Sequence, residues 1–493
     1  MIIYVMENIN FDHLIFILSA LVLVSIIIAR LSNNLGVPFL VLFILIGMAA
    51  GSEGPVGIDF DNYPLTKLIS YVCLAIILFS GGIDTNWKSV KKVILPASLL
   101  ATAGVLITAL AVGLFVHYYL GFSFMESFLL GAIVSSTDSA AVFSVLRAKH
   151  LKIKGESGSL IELESGSNDP MAIFLTMGII AFIAVPDTGA GDILLLFVMQ
   201  MGIGAVAGFL SGHLLIYGMN KFNFGNSGFY PVLTLTIIFL TFSLTNTLGG
   251  SGFLAVYIAG LVAGNYAFVH KKSTMRFLDG LAWLSQITLF LTLGLLVFPS
   301  KLLGVIVPGV IISLVLMFIG RPLGVVLSLL GSKFNLREQL FISWGGLKGA
   351  VPIVLATIPF TYGIPLSESI FNLVFFIVFM SALLQGWSLP AVARLLKLDE
   401  KSASQIKSPL EMDDSPGLNN GLFDFFVADN SISAGKSLMD LELPEGSLVV
   451  LIQRGDNYVV PSGKSVLQAG DLVIVLGNKH RTAEISRLFS ALS

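Results

Sequence analysis

The chain has 493 residues, of which 55% are hydrophobic and 12% charged, and its mean hydropathy is +0.90. A soluble globular protein carries about 25% charged residues, so this chain has too few polar side chains to cover its own surface in water. The net charge of −2 gives no indication of a nucleic-acid partner, and the single Cys73 excludes a disulfide framework within one chain. The composition therefore predicts a protein embedded in a lipid bilayer.

About 20 apolar residues cross a bilayer as a helix. Thirteen segments of the chain have the required hydropathy, and the second of them is short enough to be re-entrant or thinly inserted. In chain order, these predicted spans are 11–29, 36–51, 66–83, 93–119, 124–146, 158–185, 191–219, 228–247, 251–268, 278–299, 302–331, 338–359 and 367–393.

The charges of the predicted loops indicate the orientation, because positively charged loops stay in the cytoplasm. Only Lys67 and Lys301 fall on one side. The opposite side collects sixteen basic residues: Arg30, Lys88, Lys91, Lys92, Arg147, Lys149, Lys152, Lys154, Lys221, Lys271, Lys272, Arg276, Lys333, Arg337, Arg394 and Lys397. We therefore expect a multi-pass protein of the plasma (inner) membrane, with its N-terminus outside and its C-terminal domain in the cytoplasm.

The composition changes after the last span. We predict a transmembrane domain over 1–398, a polar linker over 399–421 and a small cytoplasmic α+β domain over 422–493. Within the small domain, alternating β-rich runs between turn residues predict strands at 423–427, 448–452, 458–460 and 472–476, and helices at 433–441 and 482–492.

Thirteen spans divide into six, one and six, so that the two halves have opposite orientations, as in the inverted repeats of many secondary transporters. The fifth span is interrupted by the polar run 135–139. The twelfth span, fifth in its own half, is interrupted by 344–349 and then Pro352. Two broken helices that cross near the midplane expose carbonyls and helix ends to an ion. The predicted fold is an all-α polytopic membrane protein with two interrupted crossing helices.

An ionisable side chain inside a span is costly and indicates a function. Asp169 lies in the sixth span, and Ser165, four residues earlier, shares its helix face. Together with Thr137 and Asp138 they offer the hard oxygen ligands that suit an alkali cation or a proton. A carboxylate at Asp169 that holds either a proton or a cation couples the two fluxes. No cofactor is expected beyond the transported K⁺ or Na⁺ and H⁺.

Two further charges fall inside the predicted spans. Lys348 requires a buried partner, and we expect Glu164 first and Asp169 second. The Glu164–Lys348 pair would be a structural ion pair that holds the two repeats in register. For Arg321, near the inner end of its span, we expect the side chain to snorkel to the membrane surface.

The runs Ser136–Asp138, Glu164–Pro170 and Leu347–Pro352 resemble three hallmark motifs of the monovalent cation:proton antiporters of the NhaP/NHE type. The resemblance covers about 11–395. It implies thirteen spans, a homodimer, and an elevator-like movement of a core bundle against a dimerising scaffold.

The resemblance also implies the roles of single residues. Asp169 would carry the ion, with Thr137, Asp138 and Ser165 completing the site, and Asn168 would be the first residue of an Asn-Asp pair associated with electroneutral exchange. The chain departs from the family at Lys348, where an arginine is usual, and at Ser80, where related proteins often have a glutamate.

The tail resembles an RCK-C (TrkA-C) regulatory domain over about 422–490, through the runs 435–438, 454–456, 460–461 and 469–471. Such domains pair up on potassium channels and potassium antiporters. This resemblance favours K⁺ over Na⁺ and implies a small regulatory ligand, a nucleotide or an ion, at 422–493.

The main hypothesis is a secondary active antiporter, not an enzyme, that exchanges K⁺ or Na⁺ for protons and serves cation and pH homeostasis. One alternative is an RCK-gated cation channel, but a potassium channel needs a selectivity-filter loop and this sequence contains no recognisable one. A second alternative is an intramembrane aspartyl protease with Asp138 and Asp169 as its catalytic dyad. Some such enzymes contain a Gly-x-Gly-Asp run, and neither of these two aspartates lies in one.

Overall fold

In the computed structural model, the chain is mostly helical and has a small β-sheet near its C-terminal end. The structure describes residues 11–35, 39–149, 151–184, 189–222, 224–401, 420–428, 431–455, 457–478 and 481–489. The chain divides into a helical unit (Met1–Tyr217, Pro231–Tyr266 and Met275–Ser402) and a C-terminal unit (Gly218–Tyr230, Ala267–Thr274 and Ala403–Ser493).

Each predicted span coincides with a helix or with a broken helix. These are α1 (Phe11–Leu35), α2 (Phe39–Ala50), α3 (Tyr63–Asp84), α4 (Ile94–Leu120), α5a (Phe124–Ile133), α5b (Ser139–Ala148), α6 (Ser157–Ala184), α7 (Ala190–Lys221), α8 (Phe229–Thr247), α9 (Gly252–Asn265), α10 (Lys271–Leu295), α11 (Pro299–Ser328), α12a (Leu336–Trp344), α12b (Ala350–Thr361) and α13 (Ser367–Leu395). Within the described residues, eight of these helices are long and apolar enough to cross a membrane. The polytopic helical fold is confirmed, and the count of thirteen crossings stays a prediction.

The fifth and twelfth helices are both broken, as the sequence predicts. Serine, threonine and aspartate side chains compete for backbone hydrogen bonds between α5a and α5b, and glycines remove helical preference between α12a and α12b. The two breaks meet directly, because the Asp138 backbone N–H donates a 2.8 Å hydrogen bond to the carbonyl oxygen of Leu347. The interruptions therefore form one crossing point.

Helices α4 and α11 pack closely beside this crossing. Both contain a wider π-helical turn, at Leu100–Gly104 in α4 and at Leu316–Gly320 in α11. A Cβ atom at Gly324 would lie only 2.7 Å from the carbonyl oxygen of Gly104, so the approach of the two backbones requires glycine there. The equivalent π-turns at equivalent helices agree with the predicted repeat.

The helical unit also contains one short antiparallel strand pair. Strand β1 (Leu151–Ile153) follows α5b, and strand β2 (Asp399–Lys401) follows α13, with Lys152 opposite Glu400. Ile153 and Leu398 are buried in the helical core beside this pair. The predicted linker over 399–421 therefore begins with a paired strand, and residues 402–419 lie outside the described residues.

The C-terminal unit contains a four-stranded antiparallel sheet in the order β3-β6-β4-β5. The elements are β3 (Asn420–Phe426), β4 (Leu448–Arg454), β5 (Asn457–Val459), β6 (Leu472–Asn478) and helix α14 (Thr482–Phe489). Phe425 stacks on Phe489 of α14, and Ile485 is fully buried against the same core. The four predicted strands and the small α+β fold are confirmed.

The predicted helix at 433–441 is wrong. This segment contains a single 3₁₀ turn at Leu438–Asp440, because Gly435 adopts a left-handed φ of +81° and Ser437 forms a bridge with Val466. The predicted helix at 482–492 is observed over α14, and residues 490–492 lie outside the described residues.

A bidentate ion pair joins the end of β4 to the turn before β6. Arg454 donates from Nε and Nη2 to the two carboxylate oxygens of Asp471, at 2.8 Å each. Asp471 is 1% exposed and also accepts the backbone N–H of Gln468. The Gly470-Asp471 turn is thus held to β4 by one planar contact.

Candidate cation site at the crossing of the broken helices

A cavity of about 60 Å³ lies at the crossing point. One wall comes from the breaks and from α6, and it contains Ser136, Thr137, Asp138, Asp169 and Gly349. The second wall is formed by the lining residues that come from α2, α3 and α10. The sequence therefore brings the polar run of the fifth span and the carboxylate of the sixth span to one water-sized space.

Asp169 is the central acid of this cavity. It is 8% exposed, and its Oδ1 accepts a 2.7 Å hydrogen bond from the hydroxyl of Ser136. No ion pair to Asp169 occurs among the described residues. Its charge thus has a hydrogen-bond donor but no fixed counter-ion, which leaves it available to a mobile one.

The predicted ligands Thr137, Ser165 and Asn168 form a small buried network beside it. The Asn168 amide donates to Thr137 Oγ1 at 2.6 Å, and Thr137 Oγ1 lies 3.2 Å from Ser165 Oγ. Thr137 lies in the α5 break and Ser165 lies in α6, so this network fastens the break to α6. The structure brings all three predicted residues together.

Asp138 has a different position from Asp169. Its side chain caps α5b by accepting the backbone N–H of Ala141 at 3.2 Å. The negative charge therefore faces the positive end of the α5b dipole. A Cβ atom at Gly349 would lie 2.4 Å from Asp138 Oδ2, so only glycine fits there in the α12 break.

Lys348 binds the other side of the α5 break, at the end of α5a. Its Nζ donates to the backbone carbonyl oxygens of Ser136 at 3.0 Å and Ser135 at 3.3 Å. These carbonyls follow α5a, at the negative end of its dipole. A flexible ammonium group can satisfy two such acceptors at once.

The predicted Glu164–Lys348 ion pair is wrong. Glu164 is instead bound by Arg321 of α11, with Nη1–Oε1 at 2.6 Å and Nη2–Oε2 at 2.8 Å. The guanidinium group presents two parallel N–H donors to a carboxylate, which lysine cannot do. Neither Glu164 nor Asp169 forms an ion pair with Lys348 among the described residues.

The expectation that Arg321 snorkels to the membrane surface is therefore also wrong. Arg321 is 2% exposed, and its side chain lies directly against Gly346 in the α12 break. The counter-ion of the buried Glu164 therefore lies on α11 and not in the α12 break.

Sequence reasoning missed several residues that support the site. Ser381 of α13 accepts the Lys348 backbone N–H at 3.1 Å, and Gln385 donates to the carbonyl oxygen of Trp344 at 3.0 Å. Both satisfy backbone groups that the α12 break leaves free. Only the short spacing Ser381-x-x-x-Gln385 signals them, and such a pair is common on any helix. Ser136 is the first residue of the motif Ser136–Asp138, but nothing in the sequence distinguishes it from its neighbours as a partner of Asp169.

The chemistry of this arrangement suits a hard monovalent cation or a proton. The ligands are carboxylate, hydroxyl and amide oxygens. Within the described residues, no cluster of three or more His, Cys, Asp or Glu side chains has the geometry of a metal centre. Asp138 and Asp169 make separate hydrogen bonds rather than one shared between them, so the geometry gives no support to an aspartyl-protease dyad.

Comparison with known proteins assigns the chain to a family. The profile described as "Sodium/hydrogen exchanger, transmembrane" matches residues 18–395, and the profile described as "TrkA-C domain" matches residues 422–490. The chain belongs to the sodium/hydrogen exchanger family. Cation/proton antiport is the activity of that family, so the chain is a multi-pass membrane transporter with a TrkA-C domain, and not an enzyme.

Individual relatives agree with this assignment. The chain is 39% identical to the K(+)/H(+) antiporter NhaP2 of Shewanella sp. (strain ANA-3), over 95% of this chain and 81% of that protein. It is 38% identical to the K(+)/H(+) antiporter NhaP of Alkalimonas amylolytica, over 99% of this chain and 84% of that protein. The solved structure of the sodium proton antiporter MjNhaP1 from Methanocaldococcus jannaschii superposes with a TM-score of 0.69 at 24% identity, covering 79% of this chain and all of that chain.

Proposed function

We propose that this protein is a secondary active antiporter that exchanges K⁺, in preference to Na⁺, for protons across the plasma (inner) membrane. The observation that carries the proposal is Asp169, a buried carboxylate without a counter-ion on the wall of a water-sized cavity. The preference for K⁺ is supported by the names of the two relatives above and by the TrkA-C domain. Such exchange serves cation and pH homeostasis.

The proposed mechanism is competition at Asp169. The carboxylate holds either one proton or one cation, with Thr137, Asp138 and Ser165 supplying further oxygens and Asn168 holding Thr137 in place. Alternating access then requires that only an occupied site changes sides, so the two fluxes are coupled.

The proposed exchange is electroneutral. Asp138 caps α5b through Oδ1, and Lys348 is bound to carbonyls after α5a, so in the proposed cycle both residues keep their charges while they hold the helix ends. Asp169 is then the only carboxylate of the site that changes its partner. One proton is exchanged for one monovalent cation.

The wider architecture is proposed from the loop charges and the family resemblance. The N-terminus lies outside, and residues 1–398 form the transmembrane domain of a homodimer. Residues 399–421 connect it to a cytoplasmic domain at 422–493, which regulates exchange through a nucleotide or an ion.

The experiment compares wild type, Asp169→Asn and the control Asp192→Asn in reconstituted vesicles that contain a pH-sensitive dye. Asp192 lies in the first turn of α7, away from the cavity. We expect K⁺-driven proton movement without net current in wild type and in the control, and none in Asp169→Asn although the variant inserts normally. Retained exchange in Asp169→Asn would overturn the assignment of the carrier, and a large net current would overturn electroneutrality.

A further inference from the structure

The second wall of the cavity has one polar side chain. This wall is formed by α2, α3 and α10, and among the described residues that line it, Leu40, Leu74, Leu78 and Phe290 are apolar while Gln286 is not. Ser80 of the same helix α3 is not among the lining residues. Helix α3 therefore presents only hydrocarbon to the cavity, and Gln286 on α10 brings the polar side chain of the second wall.

Gln286 is also unengaged. It is partly buried, and it makes no hydrogen bond to another described residue. A carboxamide has one acceptor oxygen and two N–H donors, and leaving them without partners in an apolar wall is unfavourable. Since the other lining residues contributed by α2, α3 and α10 are apolar, the polar partner that the cavity offers to this carboxamide is its own content, water or the transported ion.

We infer that Gln286, which lines the same cavity as Asp169 but from α10, is a ligand of the transported cation that completes the oxygen shell and contributes to the choice between K⁺ and Na⁺. This inference rests on the proposed function. An amide oxygen is a hard, neutral ligand, so it adds to cation binding without adding a charge. A larger cation accommodates more oxygen ligands than a smaller one. We therefore expect K⁺ binding to depend more than Na⁺ binding on the additional ligand from the second wall.

The position of Gln286 gives it a role that the other ligands do not have. Asp169, Thr137 and Ser165 all belong to the bundle formed by the broken helices and α6, whereas Gln286 belongs to α10. A cation bound by both walls is held only while the two walls face each other, so this ligand selects the ion in the conformation with the cavity formed and releases it when the walls separate.

The test measures cation dependence of exchange in vesicles for Gln286→Leu, Gln286→Asn and the matched control Gln200→Leu. Gln200 lies on α7, does not line the cavity, and contributes its backbone carbonyl, which the substitution retains, to Ser251. Leucine is compatible with the apolar wall, so Gln286→Leu should insert and remain monodisperse. Loss of one neutral polar ligand should raise the KM for K⁺ about three- to tenfold.

The maximal rate should change far less than the KM, because the proton-carrying Asp169 is intact. The KM for Na⁺ should rise less than that for K⁺, so the K⁺/Na⁺ preference should fall, and Gln286→Asn should restore part of it. Gln200→Leu should match wild type.

The outcomes separate this inference from the proposed function. Absence of cation-driven exchange in wild type and in Gln200→Leu would overturn the proposed function itself. Normal exchange in wild type, together with an unchanged KM and unchanged K⁺/Na⁺ preference in Gln286→Leu, would overturn only the role of Gln286. A fall in maximal rate with no change in either KM would also overturn it, since a ligand must act on binding.

Discussion

The two broken helices satisfy the backbone groups at their breaks with different chemistry. The break in the fifth helix is stabilised by single charges, with Lys348 at the carbonyls after α5a and Asp138 at the N-terminus of α5b. The break in the twelfth helix is stabilised by neutral groups, the Ser381 hydroxyl and the Gln385 amide. The charges beside it, Arg321 and Glu164, are already paired with each other.

This difference distinguishes what the two breaks contribute to the cavity, whose lining includes Ser136, Thr137 and Asp138 from the fifth helix and Gly349 from the twelfth. Within the described residues, Asp169 of the sixth helix has the Ser136 hydroxyl as a partner but no counter-ion, and such a carboxylate attracts a mobile cation. The break in the twelfth helix has neutral partners for its backbone and adds no carboxylate. We therefore propose that the carboxylate of the ion site comes from the sixth helix and that the twelfth helix lines the cavity with Gly349.

The largest expected effect on stability comes from breaking the buried ion pair between Arg321 and Glu164. Arg321→Gln leaves Glu164 buried without its partner, and loss of one member of a buried ion pair costs about 3–5 kcal/mol. The comparison variant Lys301→Gln removes a pair with Glu368 in which the side chains are 50% and 55% exposed, and such pairs contribute about 0–1 kcal/mol. Thermal unfolding in detergent should show a large fall in Tm for the first variant only. Similar shifts in both variants would contradict the structural role of Arg321.

The next effect concerns the charged break. Lys348→Met removes the cation from the carbonyl oxygens of Ser135 and Ser136, and charge-assisted hydrogen bonds contribute about 1.5–3 kcal/mol. Its Tm should fall less than that of Arg321→Gln, and Lys348→Arg should retain most of the stability because the charge remains. A Lys348→Met protein as stable as wild type would show that the helix end needs no cation.

A smaller effect is expected at the neutral break. Ser381→Ala removes the acceptor for the Lys348 backbone N–H, at a cost of about 0.5–1.5 kcal/mol. The control Ser211→Ala removes a hydroxyl that bonds only to its own helix, at the Ala207 carbonyl, and should change Tm less. If Ser381→Ala destabilised the protein more than Lys348→Met, the contrast between the two breaks would be reversed.

The smallest effect lies outside the spans, at Glu53 in the loop after α2. Hydrogen bonds from the Ser300 hydroxyl and backbone N–H lower the pKa of Glu53 below its ordinary value of 4.5. A lowered pKa stabilises the folded protein above the ordinary value, and that contribution is lost as the pH falls through the lowered pKa. The Tm difference between wild type and Glu53→Gln should therefore be present at neutral pH and disappear in acid. A difference that grows in acid would have the wrong sign.

Much of the architecture could be predicted from the sequence. Hydropathy located the long apolar helices, and the polar run at 135–139 and the glycines at 345–349 marked both breaks, because such residues weaken a helix wherever it is packed. The grouping of Asp169 with Thr137 and Ser165 followed from helical spacing and motif resemblance, and the structure brings these residues together.

The partners of the buried charges could not be predicted. Lys348 was paired with Glu164 because both are buried charges near the breaks, but sequence gives no distance between α6 and α11, where Arg321 reaches the carboxylate. Gln286 gave no signal either, because a single glutamine in a long helix acquires meaning only when its neighbours are known to be hydrocarbon. The helix expected at 433–441 failed because Gly435 needs a left-handed backbone that the local pattern does not reveal.

The pairing of β1 with β2 connects the chain segment just before residue 402 to the helices of the cavity, so a force on that segment reaches them directly. Strand β2 is the last described segment before residue 402, and its partner β1 is the short connection between α5b and α6, whose residues form the acidic wall of the cavity. The Lys154 N–H bond to the Leu398 carbonyl, 2.9 Å long, extends that connection towards α13. A pull or a torque applied beyond residue 401 therefore reaches the helices that hold Asp138 and Asp169 through a backbone ladder, and not only through the end of α13.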